Sequence, residues 1–203
     1  MDTNGVTVWL QKQLKPHSKN LEKVPPEAFA YCSLFLSSVS GVLLYFAQAQ
    51  YYPALVAVAA LVLTLRFVSD STEELLTMAA GTERPHLISS LCARLADISM
   101  LLGFAFWDSL RIHLVLLAIV SMLLVSYVGE LARSQGAIDC NGGLLCKSNR
   151  IILLIFFCMV YLLRPNSQIA GFSVFEVMFV LFIPLASLTL LQRTDAAIRQ
   201  MKR

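Results

Sequence analysis

Apolar residues run in six long stretches along this chain, at approximately Ala28–Phe46, Tyr52–Val68, Leu87–Phe106, Ile112–Val128, Ile151–Leu163 and Phe172–Leu191. A helix needs roughly 17–25 apolar residues to cross the hydrocarbon core of a bilayer. All but the fifth stretch meet or nearly meet that length, and the fifth reaches it by borrowing from Ser148-Asn149-Arg150. The period-2 alternation of a membrane β-barrel is absent. The pattern therefore predicts an all-α integral membrane bundle of six transmembrane helices. Ahead of it, Val6, Trp9, Leu10 and Leu14 fall on one helical face, with Gln11, Lys12 and Lys15 turned away. That spacing predicts a short interfacial amphipathic helix, since Trp favours the headgroup depth; the competing reading is a polar tail with scattered apolar residues. Pro25-Pro26 breaks the chain before the first span. The expected organisation is a juxtamembrane segment, 1–27, followed by a transmembrane domain, 28–203.

Composition agrees with the pattern. Of 203 residues, 57% are hydrophobic and 14% charged, and the mean hydropathy is +0.69. A soluble domain of this length has no use for so many apolar residues. The start of the chain is polar and lacks the apolar core of a signal peptide, so none is expected. The net charge is only +3, and nothing points to nucleic acid. Placement matters more than the sum. Lys12, Lys15, Lys19 and Lys23 precede span one, Arg66 and Arg84 flank the turn between spans two and three, and Arg133, Lys147 and Arg150 lie between spans four and five. Arg193, Arg199, Lys202 and Arg203 follow span six, whereas the other side holds only Arg111 and Arg164. The positive-inside rule then puts both termini in the cytoplasm. Cys140 and Cys146 share a cytoplasmic loop under that topology, where a disulfide is not expected.

The chemistry concentrates at the end of the second span, in Asp70-Ser71-Thr72-Glu73-Glu74. If the helix continues, Asp70, Glu73 and Glu74 share one face at i, i+3 and i+4. Three like charges there repel unless a cation or basic groups stand between them, and an oxygen-liganded divalent ion such as Mg²⁺ is the first candidate. Span three adds Arg94 and Asp97. Ionisable groups inside a span are costly and default to paired or functional roles. Arg94 and Asp97 either cancel each other at i, i+3 or send Asp97 inward to meet the acids of span two.

The stretch from Asp70 to Asp97 resembles the signature of the CDP-alcohol phosphotransferases, D-x-x-D-G-x-x-A-R followed by G-x-x-x-D-x-x-x-D. The amphipathic segment, the Val24-Pro25-Pro26 turn, the run Ser90 to Ser99 through Leu95-Ala96-Asp97, Ser126-Tyr127-Val128, Lys147 to Arg150 and the basic tail Leu191-Gln192-Arg193 look similar too. Asp70 matches the first motif acid and Asp97 the fourth. Glu73 stands at the second with a longer arm, Glu74 replaces the Gly, Thr77-Met78 replaces Ala-Arg, Ser89 replaces the next Gly, and Ala93 replaces the third Asp. Gly129 and Leu131 stand where many members have arginines.

The resemblance implies a homodimeric membrane phosphotransferase of phospholipid biosynthesis. Such an enzyme moves a phosphoalcohol or phosphatidyl group from a CDP-linked donor to a hydroxyl acceptor and releases CMP. It implies Mg²⁺ or Mn²⁺ on Asp70, Glu73 and Asp97, with Glu74 as a further ligand, and Asp97 as the catalytic base for the acceptor. Lys147, Arg150 and Arg84 are the expected contacts to donor phosphate. Two other readings compete. A family member that has lost its chemistry would serve as a membrane binding or partner subunit, as Ala93, Met78 and Glu74 suggest. A small proton- or cation-coupled transporter would use Asp70, Glu73 and Asp97 as a path, although the acids cluster at one end and no repeat relates the halves.

Overall fold

The computed structural model describes residues 12–13, 24–49, 53–80, 86–107, 110–135, 143–165, 168–169 and 171–201. Of the juxtamembrane segment, Lys12 and Gln13 are helical and exposed. Val6, Trp9, Leu10, Gln11, Leu14 and Lys15 lie outside the described residues, as do Arg84 and Cys140.

Within the described residues there are six main helices: α1 (Pro26–Ala49), α2 (Pro53–Ala80), α3 (His86–Leu102), α4 (Ile112–Ser134), α5 (Lys147–Leu163) and α6 (Val174–Met201). Each corresponds to one apolar stretch. Four contain a segment long and apolar enough to cross a membrane: Glu27–Ala47, Pro53–Thr77, Ile112–Ser134 and Val174–Gln200. Among the described residues, four helices are thus suited by length and composition to cross a membrane, in keeping with an all-α membrane protein. α3 and α5, at 17 residues each, fall short of that length. The large difference from the sequence reading is at polar ends. α2 runs on past Val68 through the whole acidic cluster, because Asp70 to Thr77 holds no glycine or proline to stop it. α5 begins at Lys147, which supplies the extension that Ile151–Leu163 requires. A short antiparallel hairpin, β1 (Gln168–Ile169) with β2 (Phe172–Ser173), precedes α6 and turns through Gly171, whose φ is +83°.

The chain divides into two compact units, residues 4–104 and 105–203. In the first, α1 packs along both α2 and α3, while the backbones of α2 and α3 approach each other only sparsely. The inner face of α1 is made of small residues: Ser33, Ser37, Ser40 and Gly41 are buried. Small residues let membrane helices approach closely. A Cβ on Gly41 would collide with the carbonyl oxygen of Ser99, and one on Gly103 would collide with the backbone of Gly41. The outer faces carry exposed apolar side chains such as Leu61, Leu65, Leu87 and Leu91, which suits contact with acyl chains.

In the second unit, α6 packs on both α4 and α5. Trp107, Tyr161 and Phe175 form an aromatic cluster; the Trp107 and Phe175 rings meet edge-on at 4.8 Å and those of Tyr161 and Phe175 stack at 5.1 Å. The start of α6 is a capping box. The Ser173 N–H donates to Glu176 Oε2 at 3.0 Å, and the Glu176 N–H donates to Ser173 Oγ at 3.2 Å. Glu176 is therefore a buried cap.

Candidate functional site

The acids of α2 sit on a continuous helix, so Asp70 and Glu73 face inward together. Both are buried, and Glu74 is half-buried. From α3, Asp97 is buried at 1% exposure. The group that joins them is Arg66, whose exposure is 0%. One turn before Asp70 on α2, its Nε lies 3.6 Å from Asp70 Oδ2. Its Nη2 donates to Asp97 Oδ1 on α3, and its Nη1 reaches Met100 Sδ at 3.3 Å. From α1, Ser33 Oγ donates to Asp70 Oδ1 at 2.5 Å. Three helices thus contribute to one buried polar cluster, and the guanidinium is at its centre.

This geometry corrects one sequence reading and decides another. Arg66 does not flank a turn; it is an internal residue of a membrane helix, held by two carboxylates. Asp97 takes the inward orientation and meets the polar cluster of α2, while Arg94 donates to Ser90 Oγ at 3.2 Å. The sequence reading missed Arg66 and Ser33. A signal for Arg66 was present: it falls inside the apolar stretch Tyr52–Val68, where a lone charge is costly and calls for a partner. Ser33 carried no such signal, because nothing local ties a small polar residue of one helix to an acid 37 positions away.

The expected divalent metal meets a site already held by a cation. Hard oxygen donors are present, but the guanidinium engages one oxygen of Asp97 and faces one of Asp70, and Ser33 engages the other oxygen of Asp70. Ala93, at the position of a third motif acid, is buried and brings no donor. Among the described residues no group of three or more His, Cys, Asp or Glu side chains is placed to hold a metal ion. As arranged, the residues do not fit Mg²⁺ or Mn²⁺.

The residues expected at phosphate belong to the second unit. Lys147 and Arg150 stand in the first turn of α5, and the positive end of a helix dipole favours anions. The loop before that turn is fixed to α6. The Leu145 N–H donates to Thr189 Oγ1 at 2.8 Å, and Gly143, with φ of +131°, has its Cβ position filled by the Thr189 methyl group. Asn149 Nδ2 donates to the Leu144 carbonyl at 2.9 Å, which closes the loop onto the helix. Arg150 is buried, and its backbone N–H donates to the Cys146 carbonyl at 3.1 Å.

No family model matches the sequence, and no curated protein shows significant similarity to it. Solved structures do. The Mycobacterium tuberculosis phosphatidylinositol phosphate synthase PgsA1 with CDP-DAG bound is similar at a TM-score of 0.65 and 16% identity, over 96% of this chain and 94% of that chain. The same enzyme in complex with manganese and citrate is similar at a TM-score of 0.66 and 16% identity, over 94% and 88%. The likeness shows a shared fold along nearly the whole chain.

Proposed function

We propose that this chain is a membrane transferase of phospholipid biosynthesis of the CDP-alcohol phosphotransferase type. It takes a CDP-linked donor and a hydroxyl acceptor, at least one of them a lipid, and releases CMP. The observation that supports this most is the pairing of a phosphatidylinositol phosphate synthase fold with Asp70, Glu73 and Asp97, buried on the two helices that carry the resembling motif. In this reading all six helices cross the membrane, both termini are cytoplasmic and the protein is a homodimer.

The roles of the chain's own residues follow from their chemistry. Asp97 has one carboxylate oxygen on Arg66 and accepts the acceptor's hydroxyl proton with the other, as a general base. Arg66 fixes that carboxylate in place and offsets the charge of Asp70. Lys147 and Arg150 contact donor phosphate at the start of α5, with Arg84 as a further basic contact.

A second reading is favoured by a specific observation, the Arg66 ion pairs. A site in which Asp70 and Asp97 already pair with an internal guanidinium, and which has Ala93 in place of an acid, suits a subunit that binds a CDP-linked lipid without turning it over.

One experiment separates them. The purified chain is given CDP-diacylglycerol and a panel of alcohols (inositol phosphate, glycerol phosphate, serine, inositol), and CMP is measured beside donor binding. Acceptor-dependent CMP release that Asp97→Asn abolishes supports the transferase. Saturable donor binding with no CMP from any acceptor supports the binding subunit. Neither binding nor release sinks both.

A further inference from the structure

A buried acid cluster in a membrane protein needs positive charge, and two sources can supply it: an exchangeable metal ion or a side chain of the protein itself. The geometry here favours the side chain. Arg66 is fully buried, and its three guanidinium nitrogens address three different groups: Asp70, Asp97 and the sulfur of Met100. Ser33 takes the remaining oxygen of Asp70. A divalent ion bound by Asp70 and Asp97 would have to displace these contacts and stand beside a guanidinium that cannot lose its proton. Two cations would then be crowded into a space where water screens poorly. The position one turn before Asp97 is Ala93, which offers no ligand to offset that repulsion.

We infer that Arg66 is the resident cation of this site: its guanidinium occupies the electrostatic role of a divalent metal, and it excludes such an ion from Asp70 and Asp97. Asp70 and Asp97 therefore share a cation without metal. Any ligand that engages the site does so independently of Mg²⁺ or Mn²⁺. Removing the guanidinium opens Asp70 and Asp97 to a cation from solution. This inference concerns the cation alone and stands whichever reading of the function holds.

The test needs neither donor nor acceptor. Mn²⁺ is titrated from micromolar to millimolar into the purified full chain in detergent, and bound ion is read by electron paramagnetic resonance. The wild type is expected to show no saturable Mn²⁺ that Asp70→Asn removes. Arg66→Met is expected to gain one saturable site, with affinity at least tenfold above any residual binding in the wild type, and Arg66→Met/Asp97→Asn to lose it. Arg66→Lys, which keeps a cation, stays without the site. Saturable Mn²⁺ in the wild type that Asp70→Asn abolishes overturns the inference. So does a folded Arg66→Met that binds none. Where Arg66→Met fails to fold, the comparison of wild type with Asp70→Asn decides alone. Presence or absence of CMP release is a separate readout, so failure of the transferase reading and failure of this inference are told apart.

Discussion

Arg66 on α2 and Asp97 on α3 form an ion pair at the centre of the first unit, between two helices whose backbones approach each other only sparsely. The pair is therefore a structural tie as well as a local charge balance. Removing one partner of a buried pair leaves the other uncompensated, which costs about 3–5 kcal/mol. Arg66→Met is expected to lose that much stability in detergent, because it strands both Asp70 and Asp97. Arg66→Met/Asp97→Asn removes one of the stranded charges and is expected to recover part of the loss. Unfolding curves for the two variants check this. A single variant as stable as the wild type would show that the pair ties nothing.

The Ser33 hydroxyl donates to Asp70 from α1, so α1 also belongs to the cluster. Ser33→Ala leaves a buried carboxylate oxygen short of one donor, at a cost of about 1–3 kcal/mol. The expected loss is smaller than for Arg66→Met, since the guanidinium still faces Asp70. Chemical denaturation of the two variants side by side gives the order. The reverse order would place the weight of the cluster on α1 rather than on Arg66.

Gly41 and Gly103 sit where α1 meets the end of α3, each too close to opposing backbone for a Cβ. Backbone cannot swing aside as a long side chain can. Gly41→Val is expected to force α1 and α3 apart and to destabilise by about 1–3 kcal/mol or more. Val42→Ala, on the exposed side of the same helix, is the control and is expected to leave the midpoint within about 0.5 kcal/mol. Equal effects at both positions would contradict a tight glycine contact.

Much of this architecture was legible in the sequence, because membrane helices declare themselves by length and hydropathy. Each of the six apolar stretches became a helix, and the i, i+3, i+4 spacing of Asp70, Glu73 and Glu74 correctly implied a shared helical setting. The partners of Arg66 at the centre of the site were not legible. Drawing the second span to end at Val68 put Arg66 near its edge, where a basic residue reads as an ordinary membrane anchor. Only the continuation of α2 through the acids makes Arg66 internal, and only the tertiary fold brings Asp97 to it from 31 positions away. Local periodicity contains no such information. Ser33 and Gly41 were hidden for the same reason: what they contact lies on another helix.

Whether α3 and α5 cross the membrane is decided by a reporter between helices. At 17 residues each, they are about 26 Å long, a little under the roughly 30 Å hydrocarbon thickness. Both nonetheless present exposed apolar side chains at helical spacing: Leu87, Leu91 and Leu95 on α3, and Phe156, Met159 and Leu163 on α5. Such stripes are poorly suited to water and well suited to lipid, and a short span is accommodated by local thinning of the bilayer. Six crossings are therefore expected. If both termini are cytoplasmic, as proposed above, a glycosylation acceptor inserted at Asp108 is then modified, while one inserted at Gly142 is not. If α3 and α5 lie within the bilayer without crossing it, the pattern inverts, with Asp108 protected and Gly142 modified. That inversion would remove the six-span topology with cytoplasmic termini.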